Sequence, residues 1–400
     1  MPEALRLDVV IFGGGVAGLW TLAHLKSLGY SVVLLESRRL GQGQTVSAQG
    51  ILHGGVKYTL SGMMTDSARA HRDAPTIWQR SLAGEREPLL TETSVLTRAC
   101  LLWRTTALSS IMGMVGARAG LSTRPIKLDE KDRPAALAGC PGEVFRVDEW
   151  VIDPVSMVRD LSQQHSESIV CVDADTAIEF GRECDRVTRI EATSANGQAL
   201  SLAPEHVILT AGSGNRVLRE WIGLAREATQ KRPLHMLMMR GELPEVYGHC
   251  VDGAHTRATI TSGTDRAGRR AWQVGGQVSE DGVKMEHEQL LEHGKREVGA
   301  VLPGLDLSGV EWSAYRVDRA EATTRTGMKP DSVTLRTEGN VHTAFPTKLV
   351  LAPYLASKVA ETLPAAGVGD AEGLREALAS MARPEVALAP WDEDVTWTRL

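Results

Sequence analysis

Two short apolar runs rich in branched residues open the chain, at 7–12 and within "YSVVLLES" at 30–37. Between them "LWTLAHLKSLG" spaces its apolar positions as one face of a helix and ends at Gly29, a helix stop. The pattern predicts a β-α-β unit. Strands apolar along their whole length, without alternation, suit a parallel sheet covered on both faces.

Further along, the pattern predicts a helix over 66–83, a strand over 89–98 and a second helix over 105–120. "EVFRVDEWVIDP" reads as a strand into a turn, and Asp153-Pro154 then starts a helix through "VSMVRDLSQQ". "IVCVDADTAIEFG" and "CDRVTRIEATSANG" are strand-like, and "EHVILTAGSGN" is an apolar strand ending in a glycine-rich loop. Several β-like runs fill 234–278, a helix follows from about 285 to 301, "VTLRTEGNVHTAF" resembles a hairpin, and "TKLVLAPYLASKVAETL" a long amphipathic helix. The last twenty residues, with their prolines and tryptophans, leave a docked or a disordered tail open.

Length and composition narrow the class. Four hundred residues exceed what one hydrophobic core usually serves, so two domains are expected. A net charge of −6 argues against a nucleic-acid partner, while eleven histidines and scattered arginines leave room for a local basic pocket. The five cysteines are odd in number, widely spaced and without a zinc-type pattern, so reduced thiols, a cytoplasmic setting and no metal are expected. The apolar start carries glycines and follows Glu3 and Asp8, which is unlike a signal peptide. No run of 18 or more apolar residues exists, so no membrane-spanning helix is expected, and contact with a membrane surface stays open.

Gly13, Gly15 and Gly18 fit G-x-G-x-x-G between a strand and a helix. Gly13 permits the tight turn, Gly15 lets backbone approach a pyrophosphate, and Gly18 allows close helix–strand packing. The following helix N-terminus, at Val16 and Ala17, offers N–H groups to phosphates. Glu36 ends the second strand where a carboxylate can accept from ribose hydroxyls, and it would repel a 2′-phosphate. The motif alone leaves NAD and FAD open.

"VVIFGGGVAGLWTLAHLKSLGYSVVLLESRRLGQGQT" resembles the opening of FAD-binding proteins of the D-amino acid oxidase and glycine oxidase superfamily. "SAQGILHGGVKY" is similar to segments of L-2-hydroxyglutarate dehydrogenase and flavin-linked glycerol-3-phosphate dehydrogenase, where such a stretch runs beside the flavin. "EWVIDPVSMVRDL" and "EHVILTAGSGN" are similar to later superfamily segments, the second contributing Ala211 and Gly212. The resemblance implies FAD as cofactor. Its fold would be α/β, with a Rossmann-like FAD-binding domain around a parallel sheet and a mainly antiparallel β substrate domain of α+β type with flanking helices. The expected ranges are 1–85, 145–220 and 320–380 for the FAD-binding domain, 86–144 and 221–319 for the substrate domain, and 381–400 for the tail.

With FAD extended from Glu36, Ser37 and Arg38 past Gly15, the flavin would reach Gln44, Thr45, Ser47, Gln49, Gly50, Leu52 and Gly54. Thr45 and Ser47 would offer hydroxyls, Gln49 would bond the ring's polar edge, and Gly50, Gly54 and Gly55 would let backbone lie against a flat ring. His53 is the imidazole in this loop, suited to accept a substrate proton or merely to shape the loop, and Tyr58 is either a pocket or a core residue. "WSAYRVDRAEA" aligns loosely with a superfamily arginine region, which makes Arg316, then Arg319, the candidate for a substrate carboxylate or phosphate, although Pro does not follow Arg316. Phe345, Pro346, Thr347 and Lys348 stand where the last flavin loop precedes a helix, whose N-terminus would face the flavin.

The function expected is oxidation of a CH–OH or CH–N carbon of a small anionic molecule, with hydride passing to flavin N5 and the electron acceptor undetermined. An FAD monooxygenase or halogenase and a non-catalytic flavin-binding subunit are the other readings. The chain lacks the former's later Gly-Asp flavin segment followed by Ala-Ala-His or similar, and its W-x-W-x-x-I-P motif.

Overall fold

Strand β1 (Leu5–Phe12), helix α1 (Val16–Ser27) and strand β2 (Val32–Glu36) form the expected β-α-β unit. The structure, a computed structural model, describes residues 4–54, 66–105, 125–252, 255–324, 327, 330, 332–367, 369 and 371–400. β1 lies between β2 and the strand Ala199–Leu209, parallel to both. Ile169–Cys171 extends the parallel set beyond β2, and Val341–Phe345 extends it beyond Ala199–Leu209. Antiparallel strands Glu179–Glu183, Arg186–Thr193 and Thr334–Glu338 complete an eight-stranded sheet.

Alternation assigns the two faces. Val9, Ile11, Val32 and Leu34 enter a core with α1 and the helix Ala352–Glu361, whereas Val10, Phe12, Val33 and Leu35 enter a second core on the other side. Both faces are covered, which is why these strands are apolar throughout.

A nine-stranded, mainly antiparallel sheet forms the second body. Its long strands are Thr229–Gly241, His255–Thr264 and Glu311–Ala322, with one parallel contact between Tyr247–Asp252 and Cys100–Trp103. One face carries Trp103, Leu237, Met239, Trp272 and Val274 into a core beneath the helix His287–Val301. A small third sheet joins Ile51–Leu52 and Val95–Thr97 to Trp150–Ile152. The C-terminal residues are docked: Leu40 N donates to Glu385 O at 2.7 Å, and Thr398–Arg399 pairs with the edge of Glu311–Ala322.

Three elements depart from the sequence pattern. The strand expected over 89–98 shrinks to Val95–Thr97, because Leu90 N bonds Ser81 O at a helix end and Glu92 N bonds Asp160. The helix expected from 347 starts at Ala352, since Thr347 has φ +65° and Lys348 is extended before a single 3-10 turn, Leu349–Leu351. Glu311–Ala322 is a twelve-residue strand that the polar residues in "WSAYRVDRAEA" conceal. The helix expected over 105–120 falls largely outside the described residues.

In the parallel sheet, His206 Nδ1 lies 3.1 Å from His342 Nε2, and His342 Nδ1 lies 3.0 Å from Thr337 Oγ1. Burial, then the neighbouring His206, push the His342 imidazole down to about 4, and burial, then Arg186, lower His206. Both imidazoles are therefore neutral in the folded chain, while the unfolded chain takes up protons below the ordinary value of 6.5. Stability is complete above that value and is lost as pH falls toward the folded value. His342 alone should remove about 2 kcal/mol between about pH 7 and pH 5. Urea unfolding at the two pH values checks this, and His342→Gln should flatten the difference.

Candidate active site

The turn after β1 fits an extended dinucleotide. Gly13 has φ +102°, and a Cβ there would come within 2.4 Å of the Ala211 Cα. A Cβ on Gly18 would stand 1.9 Å from Gly13 O, so α1 packs against the turn at a distance that only glycine allows. Gly15 faces open space, with only Thr45 Oγ1 near a would-be Cβ, at 3.1 Å. That gap lies before the amino end of α1, where Val16 N donates to Thr45 Oγ1 and the helix's partial positive charge suits a pyrophosphate. Glu36 accepts from Gly14 N at 2.7 Å and from Arg38 N at 2.9 Å, which fixes the carboxylate at the end of β2. Ser37 and Arg38 are exposed beside it, and Val16 and Ala17 are buried. These residues fit FAD: the glycines leave space, the helix end would meet its phosphates, and the Glu36 carboxylate at the end of β2 would meet its ribose.

The 44–54 segment runs from this turn to the large sheet, and the sheet holds it. Gln44 Oε1 accepts from Ala320 N, and Gln49 Nε2 donates to Thr259 O and Gln273 O at 3.0 and 3.2 Å. Ser47 O accepts from Gln273 Nε2 and from the Tyr315 hydroxyl. Burial pushes the Tyr315 phenol upward, so it stays a protonated donor. Two expectations change here. The amide nitrogen of Gln49 serves the sheet, not a flavin edge. Gly50, at φ +69°, is required because a Cβ would meet Ile152 O at 2.0 Å; the crowding comes from a neighbouring strand.

Strand register then builds a cluster that sequence reading did not assemble. Leu52 pairs with Trp150, so His53 falls opposite Glu149. Leu52 itself is buried in the core. Glu149 sits in the tight connection between Val144–Val147 of the large sheet and Trp150–Ile152 of the small one. His249 comes from Tyr247–Asp252, on the face that also carries Thr259, Gln273 and Tyr315. His53 Nδ1 is 3.4 Å and His249 Nε2 3.7 Å from Glu149 Oε2, and the imidazole centroids are 5.3 Å apart. Gly54 N donates to Glu149 Oε1 at 3.1 Å, and His249 Nδ1 bonds Thr259 Oγ1 at 2.9 Å.

Glu149 is buried, whereas the His53 side chain keeps 37% of its surface. Burial lowers the His53 proton affinity, opposed by the Glu149 carboxylate, and the Lys348 charge lowers it further. Burial alone would raise the Glu149 carboxyl, but His53, joined by His249, holds it well below the usual carboxylate range. Glu149 is thus a fixed anion behind a partly accessible imidazole, with Lys348 in electrostatic reach. No local motif marks Glu149 or His249; they are 96 and 196 positions beyond His53, and only sheet register joins them.

The remaining expected residues divide. Gly212 has φ +54° and follows Ala211, whose N donates to Asn215 Oδ1 at 2.7 Å. Phe345 is buried at a strand end, Pro346 O accepts from Lys348 N, and the Thr347 hydroxyl donates to Ser332 O. The helix N-terminus expected directly after them is displaced by the 3-10 turn. Tyr58 and Gly55 lie outside the described residues.

Arg316 is not brought to His53. It follows Tyr315 on a strand, where successive side chains point to opposite faces, and it donates to Val283 O and Met285 O at 3.3 and 3.2 Å. Arg319 pairs with Glu280. Arg316→Met should therefore leave substrate KM within about twofold while loosening the 282–285 turn. Steady-state kinetics check this, and a large rise in KM would return Arg316 to the site.

The chain is similar to known proteins along most of its length. Residues 8–344 match the family model described as "DAO: FAD dependent oxidoreductase". The chain is 34% identical over 397 residues to "Probable FAD-dependent oxidoreductase PA4991" of Pseudomonas aeruginosa, covering 98% of this chain and 99% of that protein. The crystal structure of PA4991 aligns with TM-score 0.80 and 31% identity over 98% of this chain and 99% of the other. Glycine oxidase from Geobacillus kaustophilus shares the fold at TM-score 0.63 and 16% identity, over 97% of this chain and 98% of its own. L-α-glycerophosphate oxidase from Mycoplasma pneumoniae, solved with FAD bound, does so at 0.62 and 13%, over 98% and 100%. No helix among the described residues is long and apolar enough to cross a membrane. With the glycine turn, the fixed carboxylate of Glu36 and a family match across most of its length, the chain belongs to the DAO family of FAD-dependent oxidoreductases.

Proposed function

We propose that the chain oxidises a CH–OH or CH–N carbon of a small anionic substrate, with His53 accepting the substrate's proton. FAD, when bound, supplies the two-electron acceptor. The observation that carries the reading is the partly exposed His53 imidazole at the end of the cofactor loop, backed by the buried Glu149 carboxylate. A neutral imidazole can take a proton, and a fixed anion behind it stabilises the imidazolium that forms. Gly54 N–H aims the carboxylate, and Gln49, Gln273 and Tyr315 hold the loop to the large sheet. The Lys348 charge beside His53 favours an anionic substrate. The names of the two fold neighbours, a glycine oxidase and a glycerophosphate oxidase, illustrate an amine and an alcohol substrate.

Anaerobic mixing of the FAD-loaded protein with 2-hydroxy acids, glycerol phosphates, and N-methyl or D-amino acids tests the reading. One class should bleach the visible absorbance of oxidised flavin. A flavin that none of them reduces would overturn the proposed substrate range.

A further inference from the structure

We infer that His53, Glu149 and His249 form a binding site for a divalent transition-metal cation of the Zn²⁺ type, and that its occupancy silences His53. The silencing rests on the base role given to His53 above; the site itself does not. Cysteine spacing gave no reason to expect a metal, but these three ligands come from separate strands and leave no spacing motif.

Spacing is the first argument. One ligand atom from each residue lies within 4.8 Å of the other two. The nitrogens are 3.4 and 3.7 Å from the shared carboxylate oxygen, longer than the roughly 2.7–2.9 Å of a charge-assisted hydrogen bond. Ligands about 2.0–2.2 Å from a tetrahedral Zn²⁺ stand about 3.3–3.6 Å apart. The two carboxylate–imidazole separations therefore suit an intervening ion better than direct hydrogen bonds.

The supporting contacts are the second argument. His249 Nδ1 is bonded to Thr259 Oγ1, which aims Nε2 at the cluster, and that nitrogen is buried with no hydrogen-bond partner among the described residues. Glu149 keeps Oε1 on Gly54 N–H and turns Oε2 toward both imidazoles. Metal ligands are ordinarily held in this way by their second polar atom. Two imidazoles and one carboxylate suit Zn²⁺ and its first-row neighbours, with a further position left for water or a substrate oxygen. The Lys348 charge opposes the cation, while the buried Glu149 anion touches it directly.

The consequence for His53 is chemical. An ion on Nδ1 takes that nitrogen's lone pair, and the neutral ring then carries its proton on Nε2. No lone pair remains to accept a proton from substrate.

The test uses the FAD-loaded protein exposed to ZnCl₂, passed through gel filtration and analysed for zinc and for the rate of anaerobic flavin reduction. Wild type should retain one Zn²⁺ per chain and reduce its flavin about 100-fold more slowly with zinc than without, the low end of a general base's contribution. Thr259→Val should weaken binding about tenfold and His249→Ala or Glu149→Gln by at least that factor. Flavin absorbance confirms that each variant is folded. A wild type that retains no zinc, or a His249→Ala protein that retains as much as wild type, overturns the site and leaves the base role of His53 standing. Zinc bound at this site with an unchanged rate of flavin reduction keeps the site and overturns both the silencing and the base role.

Discussion

Gly13→Ala is expected to yield a protein that retains little FAD and unfolds well below wild type. Two costs coincide at this position. The backbone has φ +102°, where a side chain is strained, and the added methyl would come within 2.4 to 2.8 Å of Thr210 and Ala211 backbone atoms. Those atoms are backbone just beyond the end of the central strand Ala199–Leu209; Thr210 N already bonds Phe12 O at 2.8 Å, so they cannot yield as a flexible side chain would. Backbone strain and overpacking together should cost about 2–5 kcal/mol, a large part of the roughly 5–15 kcal/mol that stabilises a typical folded chain. Movement of the turn would also misplace the amino end of α1. The ratio of flavin to protein absorbance and a thermal melt check this. A variant with wild-type flavin content and melting temperature would mean that the turn is not the cofactor's cradle.

His53→Ala separates chemistry from cofactor binding. The turn at Gly13, the carboxylate of Glu36 and the end of α1 are untouched by it, so flavin content should hold. The rate of flavin reduction should fall by about 10²–10⁴, the usual worth of a positioned general base. Glu149→Gln should lower the same rate by less, since it removes the anion behind the imidazole and leaves the imidazole in place. Stopped-flow reduction with the best substrate from the panel supplies the measurement. Equal rates for wild type and His53→Ala would reduce His53 to a shaping residue; loss of flavin from His53→Ala would place it in cofactor binding.

Local pattern made much of the cofactor side legible. Each glycine of the first turn, the two continuous apolar strands and Glu36 lie within about thirty residues of one another, where spacing along the chain nearly fixes spacing in space. The hairpin at Thr334–Phe345 was readable for the same reason. Legibility fell where a residue's surroundings come from distant strands. Gly50 suggested room for a flat ring, yet its glycine is demanded by Ile152 O. Gln49 suggested a flavin contact, and its amide nitrogen instead pins the loop to Thr259 and Gln273. Arg316 suggested an anion clamp, but a strand's two-residue alternation turns it away from Tyr315 and toward Val283 and Met285.

The sequence by itself therefore determined the β-α-β unit with its glycine turn, through short-range periodicity and backbone freedom at glycine; the α/β fold class came through resemblance, and the 44–54 segment carried one imidazole, that of His53. Only the tertiary structure decided what surrounds that imidazole. Residues 53, 149 and 249 meet because the small sheet sets Leu52 against Trp150, and the large sheet sets Tyr247–Asp252 beside Cys100–Trp103 and that strand beside Val144–Val147, which leads into Glu149. Register is a property of paired strands, and a chain read one residue at a time does not carry it.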